Sequence, residues 1–139
     1  MIVLDTNVLS ALMRPEPEPQ VLRWLDAQPE SSIWTTTITL VELRYGLQTM
    51  PAGRRRDQMT MEFEAVLRED IDGRYLPFDT AAAEQTAELL ARRKTRGRPV
   101  EYRDTMIAGI AVATRAALAT RNTGHFADLS ITVINPWLV

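Results

Sequence analysis

The opening stretch, Met1-Ile2-Val3-Leu4-Asp5-Thr6-Asn7, constrains the fold more than any other part of the chain. Ile2, Val3 and Leu4 form an apolar run without alternation, which suits a strand covered on both faces, as in a parallel sheet. The polar triplet Asp5-Thr6-Asn7 falls where that strand ends, and Val8 to Met13 reads as a short helix. Open parallel sheets bind their ligands at this carboxyl end of the strands. An ionised Asp5 there needs a compensating positive charge, for which a metal ion is a natural candidate. The competing reading is that Asp5 or Thr6 simply caps the helix that follows.

Helix and strand signals alternate from that point on. Arg14-Pro15-Glu16-Pro17-Glu18-Pro19 is a loop, because proline is excluded from helix interiors. Val21, Leu22, Trp24 and Leu25 give the apolar stripe of a second helix, closing near Gln28-Pro29. Ser31 to Thr36 is rich in β-branched and aromatic residues and predicts the second strand. A helix starts at Thr37 or Thr39, carries Leu40, Leu43 and Leu47 at helical spacing, and stops at Met50-Pro51-Ala52-Gly53. The next runs from Arg54 to about Asp70 with Met59, Phe63, Val66 and Leu67 inward, and Asp72-Gly73 then turns into a strand over Arg74 to Phe78. Thr80 is expected to cap a helix from Ala81 to about Arg96, which Gly97 ends. Asp104 leads a further helix buried through Met106, Ile107, Ile110 and Ala111. Ala117 to Thr120 reads as a strand, Arg121 to Asp128 as a loop, and Ile131 to Ile134 as a last strand. The pattern predicts one α/β domain over residues 1–139, with a mostly parallel sheet of four or five strands.

Composition narrows the chemistry. The chain has no cysteine, which excludes disulfides, thiolate metal sites and cysteine nucleophiles. His125 is the single histidine, so multi-histidine zinc sites are excluded and a metal would be held mostly by oxygen, favouring magnesium or manganese. A nucleoside triphosphatase is disfavoured because no glycine-rich phosphate loop is present. No apolar run approaches the length of a membrane span and no signal-peptide pattern opens the chain, so a cytoplasmic protein is expected. A net charge of −2 does not advertise nucleic-acid binding. Arginines cluster at Arg54-Arg55-Arg56 and across Arg92, Arg93, Lys94, Arg96 and Arg98, and both groups read as solvated helix faces.

Three acids stand out by position. Asp5 ends the first strand, Glu42 lies early in the helix after the second, and Asp104 begins the helix before the Ala117 strand. Each also has a purely structural reading: Asp5 as a cap, Thr39-Leu40-Val41-Glu42 as a capping box, and Asp104 as a complement to a helix dipole. All three can nevertheless be placed at one end of one sheet. Two carboxylates ~4 Å apart repel by about 4 kcal/mol at an effective dielectric of about 20, a cost that a divalent cation removes.

Taken with their spacing, these residues resemble a known family. Asp5-Thr6-Asn7 after a hydrophobic strand, Thr39-x-x-Glu42-Leu43-x-x-Gly46, Asp104-Thr105-x-Ile107-Ala108, and Thr120-Arg121-Asn122 with Phe126 four residues on are similar to the PIN-domain nucleases. Within these the chain most resembles the VapC toxins of type II toxin–antitoxin systems, in their FitB-like branch, from Met1 to the C-terminus. The resemblance implies a PIN-like α/β/α sandwich and a Mg²⁺- or Mn²⁺-dependent endoribonuclease that leaves a 5′-phosphate and a 3′-hydroxyl. By position it assigns Asp5, Glu42 and Asp104 to the metal cluster, Asp5 and Asp104 as direct ligands and Glu42 through water or on a second ion. Asn122 takes the place of a fourth catalytic polar residue that is often acidic, and His125 stands where such relatives often carry Asp. Asp128 is then the remaining candidate for a fourth acid. The resemblance further implies a VapB- or FitA-like antitoxin, a homodimer or higher assembly, an RNA substrate, and DNA contact only through the antitoxin.

Arg14, Arg44 and Arg121 are candidates for gripping RNA, set against a reading as solvated charges, and Leu22, Trp24 and Leu47 are either core or partner-facing. Two alternatives compete with the nuclease. One is a PIN-like binding module that does not cleave, which the missing fourth acid favours. The other is a phosphohydrolase with Asp5 as nucleophile, disfavoured by Asn7 where a second Asp would support it.

Overall fold

The first strand, β1 (Ile2–Leu4), lies in the middle of the sheet, which accounts for its unalternating sequence. The computed structural model describes residues 1–99 and 101–139. Leu4 packs on one side with Val8, Leu9, Val21 and Phe63, and Val3 on the other with Leu89, Ile107, Leu118 and Phe126. Both strand residues are fully buried.

The other strands are β2 (Ile33–Thr36), β3 (Tyr75–Leu76), β4 (Ala117–Ala119) and β5 (Val133–Ile134). They stand in the order β3-β2-β1-β4-β5, every neighbouring pair parallel. Ile2 is in register with Ile33 on one side and Ala117 on the other. Helices α1 (Thr6–Leu12), α2 (Pro19–Asp26), α3 (Thr37–Thr49) and α4 (Arg54–Val66) chiefly cover one face. Helices α5 (Thr80–Thr95) and α6 (Tyr102–Thr114) cover the other. The architecture is the expected α/β/α sandwich with five parallel strands. From β1 the chain adds strands outward through β2 to β3, then crosses back to place β4 and β5 on β1's other edge. The crevice between the ends of β1 and β4 is therefore the switch point, where such sheets bind ligands.

Several boundaries differ from the sequence reading for local reasons. Residues Glu30–Ser32 form a helical turn, so β2 begins at Ile33. The Thr36 hydroxyl caps α3 by accepting the Thr39 N–H at 3.1 Å. Thr39 therefore lies inside the helix, and the Thr39–Glu42 capping box is not formed. Asp79 rather than Thr80 caps α5, accepting the Ala82 N–H at 2.9 Å. Helix α6 starts two residues before Asp104, with Glu101 as its cap. Within the expected loop after β4, Thr123–Phe126 is a helical turn. Trp24 and Leu47 are core, and Leu22 is half-buried and packs against it. Among the described residues, no helix is long and apolar enough to cross a membrane.

Candidate functional site

Asp5 follows β1 and Thr120 follows β4, so the two meet across the switch point. The Asp5 N–H donates to the Ala119 carbonyl at 2.9 Å, and the Thr120 hydroxyl donates to Asp5 Oδ2 at 2.7 Å. Asp5 Oδ1 accepts the Thr6 N–H at 2.8 Å, so the carboxylate also caps α1. Asn7 completes the clasp: its Nδ2 lies 3.2 Å from Thr120 Oγ1 and 3.4 Å from Asp5 Oδ2, and its Oδ1 accepts the Arg121 N–H at 3.1 Å.

Asp5 is only 4% exposed, and among the described residues no cationic side chain forms an ion pair with it. Burial pushes its carboxyl up to about 6, against the Thr120 and Thr6 hydrogen bonds that lower it, and the charges of Asp104 and Glu42 push it further up. The strand end thus holds a carboxylate whose ionised form lacks a cation.

Glu42 comes to the same end from α3. Its Oε1 accepts the Thr6 hydroxyl at 2.9 Å, and Arg103 Nη1 lies 3.7 Å from its Oε2. Asp104, in the first turn of α6, has its Oδ2 2.9 Å from Nδ1 of His125. Glu42 and Asp104 line one cleft of about 470 Å³ together with Arg93, Arg98, Arg103 and His125. Three elements therefore deliver Asp5, Glu42 and Asp104 to one end of the sheet. Among the described residues, no three acidic or histidine side chains form a ready-made metal-ligand set. The donors nonetheless fit Mg²⁺ or Mn²⁺: they are hard oxygens, one is buried without a counter-charge, and such ions need only one or two protein carboxylates and keep several waters.

Asn122 is exposed and heads the turn after β4. Its N–H donates to Thr120 Oγ1 and its carbonyl accepts the His125 N–H, whereas its side chain makes no hydrogen bond among the described residues. Asp128 does not supply a fourth acid. Both of its oxygens are taken by Nε and Nη2 of Arg93 at 2.9 Å, with Arg98 at 3.2 Å. The Arg93 hydrogen bonds hold its carboxyl below the usual carboxylate range.

Arg93 itself corrects the reading of its cluster as solvated. It is 4% exposed, and it also donates to Thr105 Oγ1 at 2.9 Å and to the His125 carbonyl at 2.8 Å. It joins the residue after Asp104 to the turn carrying His125, while Arg92, Lys94 and Arg96 are exposed. Arg44 is engaged away from the site: it is paired with Glu64 and lies over the Phe63 ring, 4.7 Å from the centroid. The Arg121 guanidinium lies over Trp137, and with Arg14 it lines a small cleft of about 120 Å³ beside Asn7.

Four residues of the site carry roles that the sequence reading did not assign: Thr6, Thr120, Arg103 and His125. Thr120 was accessible, because it follows β4 as Asp5 follows β1 and parallel strands end together. Arg103 immediately precedes Asp104. The contact of His125 with Asp104 depends on a turn that no local pattern announces.

The PIN domain family model matches residues 2–131. The chain belongs to the PIN-domain family. Over 137 residues it is 44% identical to VapC ribonuclease Y4jK of Sinorhizobium fredii, covering 99% of this chain and 98% of that one. It is 35% identical over 137 residues to toxin FitB of Neisseria gonorrhoeae, covering 99% of each. These identities place it among the VapC toxins, beside FitB. A chain in the crystal structure of FitAcB from Neisseria gonorrhoeae superposes with a TM-score of 0.88 at 34% identity, covering 100% of both chains.

Proposed function

We infer that this PIN domain is a Mg²⁺- or Mn²⁺-dependent endoribonuclease, the toxin of a type II toxin–antitoxin pair. The observation that carries this reading is the buried Asp5 carboxylate at the switch point, pushed up to about 6 and set against Asp104 and Glu42. Asp5 and Asp104 would hold the ion, with Glu42 acting through water. A bound divalent ion neutralises charge on a scissile phosphodiester and makes a coordinated water a better nucleophile.

The remaining groups prepare the site. Thr120 and the Thr6 N–H fix the Asp5 carboxylate, the Thr6 hydroxyl holds Glu42, and His125 holds Asp104. Such outer partners fix the orientation of ligands. Asn122, which is exposed, would take the fourth catalytic polar position. A VapB- or FitA-like antitoxin, a homodimer and a cytoplasmic RNA target complete the reading. It is supported by the likeness to a protein named VapC ribonuclease and to toxin FitB.

The test is incubation of the full, antitoxin-free chain with single-stranded RNA and Mg²⁺ or Mn²⁺. Cleavage giving 5′-phosphate ends, abolished by EDTA and by Asp5→Asn, is expected. One observation favours a second reading: Asp128 is locked by Arg93 and Arg98 and does not serve as the fourth acid. Intact RNA after incubation with folded protein would select a binding module that does not cleave.

A further inference from the structure

Three arginines line the cleft that Glu42 and Asp104 share, and two of them are committed. Arg93 is buried on Asp128, Thr105 and the His125 carbonyl. Arg98 is held by Asp128 and by the Gly124 carbonyl at 3.2 Å. Arg103 differs. Its side chain is 61% exposed and sits between two carboxylates, Glu42 at 3.7 Å and Glu101 at 3.8 Å. Both distances exceed hydrogen-bonding range, and among the described residues none of its guanidinium N–H groups makes a hydrogen bond. Five donors in a planar fork are thus held at the edge of the site with nothing of their own geometry to bind, and a phosphate matches that fork.

We propose that Arg103 grips the RNA backbone, binding a phosphodiester group next to the one that is cleaved. The proposal rests on the ribonuclease reading and names a substrate contact within it. Glu42 and Glu101 hold the guanidinium over the cleft before RNA arrives, at separations loose enough for it to turn to a phosphate. The exposed Arg54 lines no part of this cleft and serves as the control for a general loss of positive charge.

The experiment measures binding apart from cleavage. The full chain carrying Asp5→Asn is titrated into a 5′-labelled single-stranded RNA, with EDTA present, across a series of KCl concentrations, and fluorescence anisotropy is read. Arg103→Ala is expected to weaken binding about tenfold, the loss of one charge-assisted contact. It should also flatten the dependence of log K on log salt by about 0.7, the increment for one phosphate on a single strand. Arg103→Lys should keep the salt dependence and lose part of the affinity, and Arg54→Ala should change neither by much. Equal affinity and slope for Arg103→Ala and its parent would overturn the proposal, as would an equal loss from Arg54→Ala. Absence of RNA binding by the parent, in EDTA and again with Mg²⁺ in its place, would overturn the proposal, while the ribonuclease reading stands or falls on cleavage by the unmodified chain.

Discussion

Asp5 is ionised at neutral pH in a place that resists its charge. Its folded carboxyl stands at about 6 against an ordinary 3.8, so between those values the folded chain binds more protons than the unfolded one. Stability therefore falls as pH rises from about 4 to about 6, and above that range the penalty is constant at roughly 3 kcal/mol. Asp5→Asn removes the charge while keeping an oxygen to accept the Thr6 N–H. The metal-free variant should thus melt several degrees higher than the unmodified chain at about pH 7.5. The advantage should shrink by about half near pH 5. Thermal unfolding in EDTA at the two pH values checks this, and a pH-independent difference would show that ionisation of Asp5 is not the source. Asp5, Glu42 and Asp104 were legible as a set because each carboxylate lies beside apolar residues in sequence. Their partners were not. The hydroxyls of Thr6 and Thr120 and the ring of His125 reach them across 36, 115 and 21 residues, through contacts that only the assembled sheet creates.

At the scale of elements, α6 brings Asp104 to the site, and its closeness to α5 decides whether Arg93 reaches Thr105. Gly109 makes that closeness possible. A Cβ there would stand 2.0 Å from the Thr86 hydroxyl and 2.8 Å from the Ala82 carbonyl oxygen. Thr86 can rotate, but the carbonyl belongs to the α5 backbone and gives way only if the helix moves. Gly109→Ala should therefore destabilise the protein by about 2 kcal/mol, as overpacking does, although alanine favours a helix by about 1 kcal/mol over glycine. The midpoint of urea unfolding measures the balance, and an unchanged or higher midpoint would refute the packing argument. The sequence reading buried α6 through Met106, Ile107, Ile110 and Ala111 and did not single out Gly109. It could not show what that face meets. Caps were harder for a related reason: Thr35, Thr36, Thr37 and Thr39 offer four hydroxyls in five positions. The end of β2 determines which of them caps α3.

For the molecule as a whole, strand order is what turns three separated acids into a site. Alternating strands and helices announced a parallel sheet, but several strand orders satisfy short crossover connections, and only an order with β1 next to β4 puts Asp5 beside Thr120. The same arrangement ties global stability to the site, since Asp5 anchors β1 to both β4 and α1. A divalent ion that binds the folded chain alone adds RT ln(1 + [L]/Kd), about 2.7 kcal/mol at a hundredfold excess over Kd. Saturating Mg²⁺ or Mn²⁺ should then raise the melting temperature by several degrees at neutral pH. Below about pH 6 the ion must displace a proton from Asp5, so the rise should diminish as pH falls. Asp5→Asn, already relieved of its buried charge, should gain little from either ion. Differential scanning calorimetry of both chains, with and without metal, separates the cases. No metal-dependent shift in the unmodified chain, or an equal shift in both, would detach the acidic cluster from metal binding. The raised Asp5 carboxyl would then be a feature of packing at the switch point.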